Sequence, residues 1–203
     1  MSDLAKTYNQ IARHYDKANH KIDFWLKEFG FFRKLAKGKK IIDIGCGPGR
    51  DGVLFTKFGF DYTGIDVSKA MLKLARKRVK RGKFLLMDFY RIKFSKEIFD
   101  GFWASASLLH APKKRIERVL RSIRNILKKD GVGFISVKQK KNLDEGVIAQ
   151  NIYVGVKRFF AFYRKSEFQK ILRASGFKVI KSYLKVANDE YKTRWLVYFV
   201  KKA

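Results

Sequence analysis

Residues 41–66 read IIDIGCGPGRDGVLFTKFGFDYTGID. An apolar run over 40–44 predicts a strand that feeds into Gly45-Cys46-Gly47-Pro48-Gly49, and a second strand over 62–65 stops at Asp66. Between them, 52–58 reads as a short helix. Glycines at a strand-to-helix turn let the backbone approach a ligand closely, and the helix beyond presents unpaired N–H groups. Asp66 follows Gly45 by 21 residues, the spacing at which an acidic side chain meets the ribose hydroxyls of a nucleotide-like ligand. The layout is that of an adenosine-containing cofactor site.

The glycines spell G-x-G-x-G, with Arg50 where a dinucleotide fold would place its third glycine. A dinucleotide carries a pyrophosphate to cradle; S-adenosylmethionine (SAM) carries instead a sulfonium and an amino-acid tail, and Asp43 at the strand end suits that cationic neighbourhood. In order along the chain, DIGCGPGRD (43–51), GIDVSKAML (64–72), FLLMDF (84–89), FDGFWASASLLH (99–110) and LKKDGVGFISVK (127–138) resemble the motif series of the class I SAM-dependent methyltransferases. The resemblance covers nearly the whole chain. GPGRD, WASASLLH and the C-terminal WLVYFVKK are most similar to small single-domain enzymes of the tellurite-resistance and thiopurine-methyltransferase type.

The resemblance implies a Rossmann-like α/β fold: a seven-stranded, mostly parallel sheet with a C-terminal antiparallel strand pair and N-terminal capping helices. It implies SAM as cofactor and S-adenosylhomocysteine as product. Carried over residue by residue, the cofactor set is Tyr8, Asp43, Gly45, Cys46, Gly47, Gly49, Arg50, Asp66, Val67, Met71, Asp88, Phe89, Ala104 and Ser105. Asp66 is the ribose ligand, Asp88 faces the adenine amino group, and Phe89 lies beside the ring. In the resembling enzymes a tyrosine of the first helix lies over the methionine end. Tyr8 is the first choice for that role and Tyr15 the second, with core packing as the alternative for both.

Alternating strand and helix signals support the parallel sheet independently. Strands are predicted over 40–44, 62–65, 83–87, 101–104 and 133–138, and helices over 52–58, 69–80 and 113–127. The last carries Ile116, Val119, Leu120, Ile123 and Leu127 at helical spacing. Ser68 suits an N-cap, Pro112 a helix start, and Gly131 a left-handed turn after the helix. Residues 166–175 read as a helix closed by Gly176, and 177–186 with 194–201 as the terminal strand pair. The division expected is one domain over 1–203: cap helices (1–38), cofactor core (39–138), a substrate-side insertion without clear period (139–165), and the final helix with its strand pair (166–203).

The chain has 203 residues, which suits one domain. Its single cysteine, Cys46, excludes an intrachain disulfide and makes a cytoplasmic setting the expectation. Cys46 sits inside the glycine loop, where a packing role competes with a nucleophilic one. The polar N-terminus shows no secretory core, and no apolar run reaches the roughly 18 residues that span a bilayer. Three histidines, His14, His20 and His110, are too scattered for a metal site.

Lys and Arg total 47 against 18 acidic residues, a net charge of +29. That field favours polyanions and makes RNA a second partner class beside a small-molecule substrate. The basic runs are spread over the chain, and Lys, Ile, Phe, Tyr and Asn share A/T-rich codons, so compositional bias is the alternative. A monomer with no membrane association is expected.

Methyl transfer is a displacement that needs alignment more than acid–base machinery. A base is required only where the acceptor must lose a proton early. His110, after the fourth strand, is the candidate base, against a structural role in its loop. Substrate contacts are expected from Tyr15, Trp25, Lys138, Arg158 and Tyr163. The expected reaction is methylation of a small molecule by in-line displacement. RNA methylation and non-catalytic SAM binding are the alternatives.

Overall fold

The computed structural model describes residues 3–149, 155–189 and 192–203. Residues 150–154 of the expected substrate-side insertion lie outside that set.

Six α-helices and nine strands are described: α1 (Asp3–Ala18), α2 (Leu26–Leu35), β1 (Lys40–Ile44), α3 (Gly52–Lys57), β2 (Asp61–Asp66), α4 (Lys69–Arg78), β3 (Lys83–Leu86), β4 (Phe99–Ser105), α5 (Lys113–Ile126), β5 (Leu127–Gln139), β6 (Glu145–Ala149), β7 (Lys157–Tyr163), α6 (Lys165–Ala174), β8 (Phe177–Val186) and β9 (Arg194–Lys202). β3, β2, β1, β4 and β5 lie side by side and parallel. β9 then runs antiparallel to β5 and β8 antiparallel to β9. Those seven strands are the sheet expected.

Two more strands correct the count. β6 and β7 form an antiparallel hairpin, and β7 joins the end of β5 through Lys138↔Phe162 and Gln139↔Tyr163. Within the expected insertion, Glu145–Ala149 and Lys157–Tyr163 therefore extend the sheet.

Strand alternation divides the core. Phe102 of β4 and Ile135 of β5 face one side with the apolar stripe of α5 and with Phe168 and Leu172 of α6. Their neighbours Trp103 and Phe134 face the other, stacked at 3.7 Å between ring centroids, with Phe32, Phe55 and Leu72 of α2, α3 and α4. On α5, Ile116, Val119, Leu120 and Ile123 are all buried. Each contributes about 1.5–3 kcal/mol relative to exposure, which sets the helix on the sheet.

Helix ends follow local chemistry. Ser68 Oγ accepts the Met71 N–H at 3.1 Å and caps α4. After α5 the left-handed residue is Asp130 (φ 66), not the expected Gly131; the turn is absorbed as an irregularity at the start of β5, where the β4–β5 register shifts. Gly176 does close α6, at φ 80.

Strand order reverses between β1 and β4, and clefts in such sheets open at the C-terminal ends of the strands there. The N-terminal helix α1 packs against α4 and β7 across that opening. No helix among the described residues is long and apolar enough to cross a membrane.

Candidate active site

A cleft of about 540 Å³ opens over the ends of β1, β2 and β4, beneath α1. A smaller cavity of about 360 Å³ adjoins it, and the two share Tyr15, Gly45, Gly47 and Ser105 in their walls.

Asp66 ends β2 and organises the floor. One carboxylate oxygen accepts the Gly47 N–H at 2.9 Å, and the other accepts the Ser68 N–H at 2.8 Å. Burial pushes its pKa up to about 6, against the pull of the Ser68, Gly47 and Val67 amides. Gly47 stands at φ 53, and a Cβ there would meet nothing within 4 Å, so its missing side chain opens onto free space. Val67, Met71, Met87 and Phe89 supply an apolar wall. Asp88, between Met87 and Phe89, is not itself among the lining residues; one of its oxygens accepts the Tyr90 N–H at 2.9 Å.

After β4 the chain turns through Ala106, at φ 52. A left-handed alanine is strained, and such strain collects at functional sites. The turn puts Ser105 and Ser107 on the cleft wall. Ser107 Oγ is buried and, among the described residues, without a hydrogen-bond partner. A buried hydroxyl of that kind is completed by a ligand or water.

The smaller cavity is polar. Arg50 grips Asp51 through Nε at 2.6 Å and a terminal nitrogen at 3.1 Å, and Trp103 Nε1 donates to Asp51 at 2.8 Å. Asp43 accepts from the Tyr62 hydroxyl at 2.6 Å. Burial, with Asp51 nearby, holds the Asp43 carboxyl well above the usual carboxylate range. A ligand ammonium would favour its ionised form. Cys46 also lines this cavity. Its thiol is pushed well up by burial and packs into the notch left by Gly64, the environment of a structural cysteine.

These features fit SAM. Asp66 would take the ribose hydroxyls, and the apolar wall would take the adenine. Asp43, Arg50 and Asp51 would take the amino-acid tail.

In the cleft wall and behind it, four residues form one chain of hydrogen bonds. Arg158 donates to the Tyr8 hydroxyl oxygen at 2.9 Å, Tyr8 lies 2.7 Å from His110 Nε2, and His110 Nδ1 lies 2.7 Å from the Phe159 carbonyl. A carbonyl only accepts, so Nδ1 carries the proton and Nε2 accepts from Tyr8. Burial pushes the imidazole pKa down to about 3. As placed, His110 is engaged by Tyr8 and the Phe159 carbonyl on its two ring nitrogens, which favours the structural role over that of a general base.

Four further expectations are corrected. Gly49 lies off both cavities: at φ 78 it faces Ala75, and a Cβ there would stand 3.0 Å from that residue's Cα. It is a packing glycine between the loop and α4. Ala104 is wholly buried in the core under α5. Trp25 is 2% exposed and packs edge-on to Phe134 and Trp195, because the apolar stripe of the second helix turns to the sheet. Tyr163 is wholly buried against Phe168. Lys138 and Arg158 stand behind Tyr8 and His110, and Tyr15 touches both cavities.

Two contributors lack a sequence signal of their own. Asn9 of α1 accepts from Ser68 Oγ at 2.8 Å and from the Ala70 N–H at 3.0 Å, which ties the covering helix to the start of α4. Asp51 follows Arg50 and could be read as its partner only once Trp103 was known to face it.

The comparisons agree with this geometry. Residues 41–131 match the family model described as a methyltransferase domain. The chain is 29% identical over 133 residues to the demethylmenaquinone methyltransferase of Thermotoga maritima, covering 62% of this chain and 57% of that protein. It is 32% identical over 104 residues to the methyltransferase GfsG of Streptomyces halstedii, covering 48% of this chain and 37% of that one. The chain thus spans less than two thirds of the length of these relatives. The crystal structure of the Burkholderia thailandensis 1,6-didemethyltoxoflavin-N1-methyltransferase, bound to 1,6-didemethyltoxoflavin and S-adenosylhomocysteine, superposes with a TM-score of 0.79 at 20% identity, covering 98% of this chain and 87% of that one. Over residues 41–131 the chain is thus similar to methyltransferase domains, and its overall fold is that of the methyltransferase structure on which it superposes.

Proposed function

We propose that the protein transfers a methyl group from SAM to a small-molecule acceptor by in-line displacement. The carrying observation is the cleft's closure: α1 lies over it, tied down by Asn9, while Tyr8 and His110 are bonded to each other in its wall. That leaves space for a small acceptor. The nearer placement with enzymes of the tellurite-resistance and thiopurine type belongs to this proposal, as do a cytoplasmic setting and a monomeric state.

SAM, when bound, supplies a methyl already joined to a good leaving group. The residues of this chain align and exclude water. Asp66 and the loop at Gly47 fix one end, Asp43 and Arg50 the other, and Tyr15 touches the junction of the two cavities. Alignment of this kind can supply about 7–11 kcal/mol of a barrier, so a structural His110 leaves the chemistry workable for a nucleophile that needs no deprotonation.

Calorimetry with S-adenosylhomocysteine tests the cofactor half, and absence of binding by folded protein overturns it. A screen with methyl-labelled SAM against metabolite fractions tests the acceptor half. Tight binding with no acceptor in any fraction favours a non-catalytic SAM-binding protein. The net charge of +29 favours a second reading, RNA methylation. Label appearing in RNA, with binding that falls steeply as salt rises, would select it.

A further inference from the structure

The turn after β4 carries a serine whose hydroxyl the fold itself leaves unmet. Ser107 is 6% exposed and lines the larger cavity, and its Oγ has no hydrogen-bond partner among the described residues. It stands at the cap of a single 3-10 turn, Leu108–His110. A serine hydroxyl at such a cap ordinarily accepts a backbone N–H. Here the His110 N–H goes to the Ser107 carbonyl at 3.1 Å, and the side chain makes no cap bond. The strained Ala106 before it donates its N–H to the buried Ser136 Oγ at 2.9 Å. A bond to β5 thus fixes the turn from behind.

Around Ser107 the polar groups of the wall are engaged. Asp66 holds two amide N–H groups, Ser105 Oγ accepts from Arg50 at 3.4 Å, and Tyr8 and His110 hold each other. A buried hydroxyl without a partner is costly, and a ligand can complete it. Its position says which part of the ligand. A Cβ on Gly45 would stand 2.5 Å from the Ser107 Cβ, so the two residues pack directly together. Gly45 borders both cavities, whereas Ser107 borders the larger. The ribose end of SAM, at Asp66, and its amino-acid end, at Asp43 and Arg50, meet where the cavities share walls. The sulfonium would then lie beside Gly45, with Ser107 next to it on the side of the larger cavity.

We propose that the Ser107 hydroxyl oxygen faces the sulfonium methyl of bound SAM and favours the methylated cofactor over its demethylated product. This rests on the cleft being the SAM site, and it names the residue that reads the methyl. A sulfonium polarises its methyl C–H bonds, and an oxygen lone pair accepts from them weakly. The contact would hold the methyl in line for the acceptor. S-adenosylhomocysteine, which has no methyl and no charge at sulfur, would not make it.

The test is calorimetric titration of wild type and Ser107→Ala with S-adenosylhomocysteine, SAM and sinefungin. Sinefungin carries an amine-bearing carbon in place of the methylated sulfur, so its ammonium donates strongly where the methyl donates weakly. Ser107→Ala should weaken sinefungin by about 10-fold or more, SAM by about 3-fold, and S-adenosylhomocysteine by less than about 2-fold. Ser107→Cys keeps the shape of the side chain but offers only a weak acceptor, and should weaken the three ligands in the same order. Equal losses for all three would make Ser107 a packing residue, and an unchanged sinefungin affinity would turn its hydroxyl away from the methyl. Either result overturns the proposal. If none of the three binds folded wild type, the SAM site itself fails, and that failure is seen before any variant is compared.

Discussion

The Tyr8 hydroxyl and His110 Nε2 lie 2.7 Å apart, joining residues 102 positions distant in the chain. The bond joins two residues of the cleft wall and fixes the histidine's tautomer. An imidazole in that state cannot serve as a base without first releasing Tyr8. Turnover plotted against pH should therefore show no inflection near the ordinary imidazole value of about 6.5. His110→Ala should cost less than the roughly 10²-fold of a lost general base, and should act on the Michaelis constant through a loosened Tyr8. A rate that titrates near pH 6.5 in wild type and not in the variant would restore the base.

The same histidine predicts a stability signature. Its folded pKa, about 3, lies below the unfolded one. Between those values the unfolded chain takes up a proton that the folded chain refuses. Its contribution is fully present above about pH 6.5 and is lost as pH falls, by about 1.4 kcal/mol per unit. Asp66, raised to about 6, acts in the opposite sense over part of that range, so the difference between wild type and His110→Asn isolates the effect. Urea unfolding at pH 7 and pH 5 should show wild type losing more stability than the variant on acidification. Parallel losses would mean that the imidazole is not held neutral.

Asp66 should control cofactor affinity through its charge. Ribose hydroxyls donate, so they favour the carboxylate form. S-adenosylhomocysteine affinity should be level above about pH 7 and fall below about pH 6, approaching tenfold per unit where protonation dominates. Asp66→Asn should weaken binding by about 100-fold, since hydrogen bonds to a charged acceptor contribute about 1.5–3 kcal/mol each. The amide would also turn a donor toward the Gly47 or Ser68 N–H. Calorimetry between pH 5 and 8 decides it, and a flat profile counts against Asp66 as the ribose ligand.

The sequence made the sheet and the floor of the cleft legible because both depend on local pattern. Period-2 and period-3.6 runs placed β1 to β5 and the helices between them, and the Gly45–Asp66 spacing located the floor. The β6–β7 hairpin was illegible for a physical reason. In KRFFAFY both faces of the strand are apolar or aromatic, and Arg158 is as buried as Phe160, so no alternation marks it. Trp25 and Tyr163 were placed at the substrate by their residue type, whereas the face each presents is decided by tertiary packing. Likewise the state of His110 depends on Tyr8 and Phe159, which are brought to it by α1 and β7. No local window contains that relationship.

Gly47 and Gly49 offer a comparison that separates binding from packing two residues apart. Both stand in the left-handed region, at φ 53 and φ 78, where a side chain costs about 1–2 kcal/mol. At Gly47 a Cβ meets nothing within 4 Å on the protein, so Gly47→Ala should lose only that backbone cost in stability. Its methyl would stand in the cleft, and S-adenosylhomocysteine affinity should fall 10-fold or more. At Gly49 a Cβ would press on Ala75 at 3.0 Å, against both its Cα and its Cβ. Backbone atoms of a helix do not give easily, so overpacking of about 1–3 kcal/mol adds to the strain. Gly49→Ala should therefore unfold at markedly lower urea than Gly47→Ala, while its folded fraction binds S-adenosylhomocysteine nearly as wild type does. Unfolding curves and calorimetry on both variants give the ranking. If Gly49→Ala is the weaker binder and Gly47→Ala the less stable fold, the roles of the two glycines are reversed.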